Sequence, residues 1–146
     1  MRTLAIDLGT RRVGLALSDE GGTVATPYDV ISVTSPEQGA TAVLAVVEKE
    51  GAQRLVVGVP LNMDGTAGPA ARSAVDWGRS VASRSGKPVV FIDERLSTFD
   101  AEQQLIDRKR AGEKLTRQRK KDQLDALAAA SFLQAFLDGT SAPIEP

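Results

Sequence analysis

The sequence predicts an α/β fold in which a mixed five-stranded sheet is flanked by helices. Three closely spaced apolar segments near the N-terminus indicate an antiparallel meander, since parallel neighbours need long crossover connections. Two continuous apolar runs then alternate with helical segments, which is typical of buried parallel strands. The chain has 146 residues. This length fits one domain over 1–139, followed by a frayed tail over 140–146.

Hydrophobic periodicity and turn residues give the element order β-β-β-α-β-α-β-α-α. Pro27 interrupts or delays the third strand, and Ser35 with Pro36 marks a helix start through a capping hydroxyl and an early proline. The predicted strands are 4–7, 13–18, part of 23–33, 55–59 and 88–92. The predicted helices are 36–50, 69–85, 97 to about 110, and about 122 to 137, with Gly112 as a break between the last two.

The chain contains no histidine and no cysteine. Ser-His-Asp catalysis, thiol catalysis and zinc sites built from these side chains are therefore excluded. Any catalysis must use carboxylates, lysines or hydroxyls, and carboxylates favour hard cations such as Mg²⁺ or Mn²⁺. No apolar run approaches the length of a membrane span, and the N-terminus lacks the pattern of a signal peptide. We expect a cytoplasmic protein without a membrane partner.

Acidic residues stand at the ends of two predicted strands. Asp7 ends the first strand, just before Gly9, and Asp93 with Glu94 ends the last one. In open α/β sheets, sites form at the carboxyl ends of strands, which makes these acids candidate site residues. Because adjacent strand residues point to opposite faces, we expect only one of Asp93 and Glu94 to meet Asp7. A turn or capping role is the alternative for each acid.

Asp125 is a third candidate because it falls on an apolar stripe of the last predicted helix. The other positions of that stripe are Ala128, Ala129, Phe132 and Phe136. An acid among such residues needs a partner, either an arginine or a metal ion. Asp122, one turn earlier, is the fallback and could instead cap the helix. Three acids without histidine suit phosphoryl chemistry at a site with two metal ions.

Positive charge is concentrated just before this helix. Residues 108–121 include eight basic side chains and one acid, for a net charge of +7, whereas the whole chain has a net charge of −1. Such a segment can bind the phosphates of a nucleic acid, and a solvated charged loop is the alternative. It contains no aromatic residue, which favours recognition of the backbone. The candidate phosphate-binding residues here are Arg117, Arg119, Lys120 and Lys121.

Four segments resemble the signature blocks of the YqgF family, also called RuvX. They are LAIDLGTRRVGLALSD, LVVGVPLNMDGTAGPAA, VVFIDERLSTFDAE and KKDQLDALAAASFLQAFLD, which together cover most of residues 3–138. The resemblance implies a ribonuclease H-like fold related to the RuvC resolvases. It also implies a nuclease that processes the 5′ end of pre-16S rRNA during ribosome biogenesis. Resolution of branched DNA, with the homodimer that RuvC-like enzymes use, is the alternative that the resemblance leaves open.

Carried over by position, the resemblance implies essential acids at Asp7, within Asp93-Glu94 and within 124–128. Glu94 is preferred in its pair, because ribonuclease H-like sites commonly place a glutamate at that strand end. We therefore expect the catalytic metal ligands to be Asp7, Glu94 and Asp125, with Asp93 and Asp122 as fallbacks. Asn62 and the amides around Gly65 could hold a phosphate, or could form a plain turn. The further candidate nucleic-acid contacts are Arg11, Arg12, Asn62 and Arg95.

Two other functions remain open at this point. The segment Asp7-Leu8-Gly9-Thr10 also resembles the first phosphate loop of actin-like and Hsp70-like ATPases, but those proteins close a cleft between two such domains and this chain has room for one. A non-catalytic assembly factor that binds nucleic acid is the other. Nothing in the sequence separates an RNA substrate from a DNA substrate, because recognition of the 2′-hydroxyl depends on a few local contacts.

Overall fold

Five strands and three helices make up the part of the chain that the structure describes. The structure is a computed structural model that describes residues 1–95 and 117–145, with the side chains of 117–125 outside the description. The strands are β1 (Thr3–Leu8), β2 (Arg12–Ser18), β3 (Ala25–Ser32), β4 (Arg54–Val59) and β5 (Val89–Asp93). The helices are α1 (Pro36–Glu50), α2 (Pro69–Ser85) and α3 (Arg117–Leu137).

The strands form one sheet in the order β3-β2-β1-β4-β5. β1 pairs antiparallel with β2, and β2 pairs antiparallel with β3, which gives the predicted meander. β4 pairs in parallel with both β1 and β5, as the continuous apolar runs indicate. The mixed five-stranded sheet is therefore confirmed, and the carboxyl ends of β1, β4 and β5 lie at the same edge.

Each face of the sheet has its own hydrophobic cluster. Because successive side chains of a strand point to opposite faces, each buried strand contributes to both clusters. The larger cluster also includes α1 and α2, and its sheet residues include Leu4, Ile6, Leu55, Val57 and Phe91. The smaller cluster also includes α3, and it contains Ala5, Ala16, Val56, Ile92, Ala129, Phe132 and Leu133.

Pro27 lies inside β3 and does not interrupt it. The pairing of β2 with β3 shifts between Leu15 and Ala16, which lie opposite Asp29 and Pro27, so the extra residue Tyr28 forms an irregularity of the β-bulge type. Proline cannot donate a ladder hydrogen bond and is tolerated at edge strands and bulges. β3 is an edge strand of the sheet, and the shift in pairing accommodates the proline there.

Local signals set the helix ends. The Ser35 hydroxyl accepts a hydrogen bond from the Gln38 amide at 3.1 Å, and Gly51 ends α1 in the left-handed conformation.

The start of α3 corrects one prediction, because this helix already includes 117–121 and Asp122 is therefore not its N-cap. The end of the basic segment is thus helical rather than a loop before the helix. The predicted helix at 97–110 and the break at Gly112 lie outside the described residues.

No helix in the described part of the chain combines the length and the apolar character needed to cross a membrane.

In the tail, which we predicted to be frayed over 140–146, Ile144 is docked on the sheet. The Ile144 amide donates to the Phe91 carbonyl at 2.8 Å, and the two residues form an antiparallel bridge. The Ile144 side chain packs against the larger cluster. Burial of this one apolar side chain and its backbone hydrogen bond hold the tail against β5.

We expect Ile144→Ala to lower the free energy of unfolding by about 1–2 kcal/mol, because it removes a partly buried apolar side chain. Urea denaturation measures the change. Glu145→Ala is the control, since Glu145 is exposed and its substitution should have little effect. Equal stability of the Ile144 variant and the wild-type protein would contradict a docked tail.

Candidate active site

Asp7 lies near the carboxyl end of β1, on the face covered by α3. It follows Ala5 by two residues, and Ala5 belongs to the cluster on that face. The turn that follows is tight, because the Gly9 amide donates to the Arg12 carbonyl at 2.9 Å. A Cβ atom on Gly9 would lie 2.7 Å from that oxygen, so only glycine fits there without a shift. The chain can therefore reverse direction immediately beyond Asp7.

Glu94 directly follows β5 and lies on the same face as Asp7. It follows Ile92 by two residues, and Ile92 belongs to the cluster under α3. The Glu94 amide donates to the Val59 carbonyl at 3.3 Å, which keeps the backbone beside the end of β4. The side chains of Asp7 and Glu94 form a hydrogen bond with each other. The structure thus brings together two of the three predicted catalytic acids.

The Asp7–Glu94 hydrogen bond has an electrostatic consequence. Burial raises the pKa of Glu94 above its ordinary value of 4.5, and the negative charge of Asp93 acts in the same direction, whereas the hydrogen bond with Asp7 opposes both. Two carboxyl groups in contact cannot both ionise without repulsion, so the pair retains a proton to a higher pH than an isolated glutamate does.

Asp93 is directed to a different partner. Its carboxylate accepts hydrogen bonds from Arg95 Nε at 3.0 and 2.9 Å and from Arg95 Nη2 at 2.6 Å. The hydrogen bond with Arg95 lowers the pKa of Asp93, in contrast to that of its neighbour Glu94. Asp93 therefore forms an ion pair while Glu94 meets Asp7, which is the division that strand alternation predicts.

The Asn62–Thr66 loop follows β4 at the same edge of the sheet. The Asn62 amide donates a hydrogen bond to the Thr66 carbonyl at 2.9 Å. The Gly65 amide donates to the Asn62 carbonyl at 2.8 Å, and the Asp64 carboxylate accepts from the Thr66 amide and hydroxyl at 3.0 and 2.6 Å. These bonds lower the pKa of Asp64. The amides of Asn62, Gly65 and Thr66 thus donate hydrogen bonds inside the loop. The phosphate contact that we predicted for Asn62 stays a prediction.

The other predicted site residues are only partly placed. Arg11 is exposed in the turn after β1, and Arg12 begins β2, so both lie at the edge that carries Asp7. Asp125 lies in α3, one turn before the buried Ala129, but its side chain is outside the described part of the chain. The same holds for the side chains of Asp122, Arg117, Arg119, Lys120 and Lys121.

A sequence profile of the RuvX family, described as Holliday junction resolvase, matches residues 1–139. The chain belongs to the RuvX family. Similar RuvX proteins carry the name "Putative pre-16S rRNA nuclease". The one from Acidiphilium cryptum is 39% identical over 97% of this chain and 87% of its own length. The one from Anaeromyxobacter sp. is 39% identical over 97% of this chain and 100% of its own length.

Solved structures confirm the ribonuclease H-like fold of this RuvX chain. Thermus thermophilus RuvC in complex with a Holliday junction substrate superposes with a TM-score of 0.57 over 99% of this chain and 100% of that one, at 21% identity. The fowlpox virus Holliday junction resolvase superposes with a TM-score of 0.56 over 95% and 99% of the two chains, at 12% identity. At these identities the likeness concerns the fold alone.

The donor set of this RuvX site suits a hard cation. Asp7 and Glu94 offer carboxylate oxygens only, and Mg²⁺ is usually held through one or two carboxylates together with water and substrate phosphates. Within 1–95 and 126–145, no group of three or more acids lies close enough to hold a metal ion. The two acids therefore fit a divalent cation whose other ligands are water or substrate oxygens.

Gly58 is a site residue that the sequence reasoning missed. It lies in β4 between the two acid-bearing strands, and a Cβ atom there would lie 2.8 Å from Glu94 Oε2 and 2.8 Å from Phe132 Cε2. The absent side chain leaves the space that Glu94 occupies beneath α3. A glycine inside a buried strand is the signal that could have identified it, because such glycines often mark a close approach.

We expect Glu94→Gln to stabilise the metal-free protein at neutral pH. The pKa of Glu94 is raised in the folded protein, so the folded chain binds the Glu94 proton more tightly than the unfolded chain does. The stability that protonated Glu94 contributes is therefore complete below the pKa of Glu94 in the unfolded chain. It is lost as the pH rises through the pKa of Glu94 in the folded chain. Thermal denaturation in EDTA, from about pH 4 to about pH 8, should show a gain in Tm that vanishes at the acid end. A gain that is constant across the range would contradict the raised pKa.

Gly58→Ala should lower the free energy of unfolding by about 1–3 kcal/mol and displace Glu94, because the added methyl group has no space. Gly78→Ala is the matched control, since its Cβ would lie 2.8 Å from Phe91 Cε1 on the opposite face of the sheet. Calorimetry and an NMR titration of the glutamate carboxyl groups give the two readouts. The Gly78 variant should lose stability yet keep the pKa of Glu94, and an unchanged Glu94 pKa in Gly58→Ala would contradict the contact.

Proposed function

We propose that this RuvX protein is a metal-dependent endonuclease that processes the 5′ end of pre-16S rRNA. The observation that carries the proposal is the pair of hydrogen-bonded carboxyl groups of Asp7 and Glu94 at the carboxyl ends of β1 and β5. The name of the similar proteins from Acidiphilium cryptum and Anaeromyxobacter sp. supports the substrate, since each match spans nearly all of this chain.

Asp7 and Glu94 would hold the cation, with Asp125 as the proposed third ligand. When bound, Mg²⁺ or Mn²⁺ supplies an activated water and neutralises charge on the phosphate and its leaving oxygen. The chain prepares the ligands by keeping the two carboxyl groups in contact and partly out of water. Loss of their shared proton leaves both groups as anionic oxygen ligands. Asp93 contributes indirectly, because its ion pair with Arg95 leaves Glu94 alone to face Asp7.

The phosphate backbone of the substrate would be neutralised by basic residues around this edge. Arg11 is exposed on the turn after Asp7. The first turns of α3 carry Arg117, Arg119, Lys120 and Lys121 on the element that also carries Asp125. Cations near the scissile phosphate stabilise the negative charge of the transition state. The product would carry a 5′-phosphate, since the 3′ oxygen is the expected leaving group in ribonuclease H-like chemistry.

Resolution of branched DNA is the second candidate function. The family description and the full-length likeness of the fold to a RuvC bound to a junction favour it. The same acids would serve, and a homodimer would be expected because two strands of a junction must be cut. The two candidates differ in the shape of the bound nucleic acid and not in the chemistry of the site.

A cleavage assay tests both functions. The wild-type protein, with Mg²⁺ or Mn²⁺, is given a pre-16S 5′-leader RNA and a four-way DNA junction side by side. We expect site-specific cuts in the RNA that Asp7→Asn reduces by more than about 100-fold, because a metal-ligand carboxylate is lost. Asp76→Asn is the control, since it makes the same chemical change at an exposed position of α2.

Preference for the junction would establish the second candidate in place of the first. Full activity of Asp7→Asn would contradict the assignment of the site under either function. Binding of both nucleic acids without cleavage, under all metal conditions, would favour a non-catalytic assembly factor.

A further inference from the structure

The Asn62–Thr66 loop is built as a preformed unit. Its backbone bonds join Asn62 to Thr66 and Gly65 to Asn62, and Gly65 adopts a positive φ of 86° that favours glycine. The side chains of Asn62 and Asp64 both bond to the Thr66 hydroxyl, at 3.0 and 2.6 Å. The loop therefore uses its own polar groups to fix its shape before any substrate arrives.

Arg95 fixes the position of this loop relative to the acids. Its Nη1 atom donates to the carbonyls of Asn62 and Met63 at 3.0 and 3.2 Å, while Nε and Nη2 donate to Asp93. Four of the five N–H groups of the guanidinium are thereby used, since Nη1 carries two of them. Arg95 directly follows Glu94, so the chain segment that holds the catalytic acid also holds the loop. We predicted Arg95 as a nucleic-acid contact, and in this structure its guanidinium is committed to the protein.

Met63 is the one large apolar residue that the loop exposes, beside the polar side chains of Asn62, Asp64 and Thr66, which are also exposed. The Met63 side chain is 97% exposed, more than any other exposed large hydrophobic residue of the described chain. The one charged side chain within the loop is Asp64, an acid that would repel a phosphate. A rigid loop with an exposed methionine beside a nuclease site is suited to contact with bases, because apolar side chains such as methionine insert between base steps.

We propose that the Asn62–Thr66 loop contacts unpaired or unstacked bases of the substrate through Met63, and that Arg95 is the positioning residue that holds the loop beside the acids. The proposal rests on the proposed nuclease function and adds what the site recognises. A substrate with unpaired bases next to the cleaved bond would be preferred over a continuous duplex. Met63 would contribute through apolar contact and not through charge.

Binding without cleavage tests this proposal, with fluorescence anisotropy in EDTA over a series of salt concentrations. The probes are a pre-16S leader hairpin with unpaired bases and a fully paired duplex of the same length. Met63→Ala should weaken hairpin binding about tenfold at every salt concentration, because a base contact is lost, while duplex binding stays unchanged. The slope of log Kd against log salt should stay constant, since no phosphate contact is removed. Met63→Leu should retain wild-type affinity.

Two further variants complete the experiment. Val24→Ala is the matched control, because Val24 is 55% exposed but lies in the turn between β2 and β3, at the opposite end of the sheet. Arg95→Met should weaken hairpin binding to a similar extent with an unchanged salt slope. The double variant Met63→Ala/Arg95→Met should bind no more weakly than Arg95→Met, because both changes remove the same contact.

Wild-type affinity of Met63→Ala for the hairpin, or an equal loss for hairpin and duplex, would overturn the base contact. A salt slope reduced by about one in Arg95→Met would make Arg95 a phosphate contact and overturn its positioning role. Failure of the proposed function has a separate signature, which is that the wild-type protein binds neither nucleic acid, or binds them but cuts neither when Mg²⁺ or Mn²⁺ is added.

Discussion

The parallel pairing of β1, β4 and β5 is the constraint on which the site depends. It brings the carboxyl ends of three strands to one edge, where Asp7 and Glu94 arrive from the first and the last of them. Strand alternation then selects the face, since Ala5 and Ile92, two residues earlier, belong to the same cluster. A shift of β5 by one residue would put Asp93 next to Asp7 and turn Glu94 away. The hydrophobic pattern that buries the sheet on both sides therefore also determines which acids meet.

The two faces of the sheet differ in the side chains that cover them. The face covered by α1 and α2 holds the larger cluster, with Trp77 and Phe91 among its members. The face covered by α3 is rich in small side chains on both the sheet and the helix, from Ala5 and Ala16 to Ala129. Small residues let α3 lie close to the strands that carry the acids. Gly58, which has no side chain, likewise leaves space for the Glu94 carboxyl group. The larger apolar cluster thus lies on one face, and the paired carboxyl groups of Asp7 and Glu94 lie on the other.

Much of this arrangement could be predicted from the sequence, because it follows from periodicity. The five strands, the caps at Ser35 and Gly51, and the separation of Asp93 from Glu94 rest on local patterns that the structure reproduces. The choice of Glu94 as the acid that faces Asp7 came from the family resemblance. The features that could not be predicted depend on contacts between distant segments. These are the docking of Ile144 on β5, the use of Arg95 by the loop after β4, and the space that Gly58 leaves. The start of α3 was placed too late, because a basic segment gives no apolar stripe from which to recognise a helix.

The bulge at Pro27 and the docked tail have a shared consequence for association between molecules. An open sheet has two edges, and unpaired backbone groups at an edge can recruit a strand from another molecule, which leads to aggregation. In the edge strand β3, Pro27 has no amide to donate, and the bulge distorts the hydrogen-bond ladder. In the edge strand β5, the Phe91 carbonyl already accepts a hydrogen bond from the Ile144 amide. Strand addition is therefore hindered along part of both edge strands, which favours association through helices or loops over a continuous sheet.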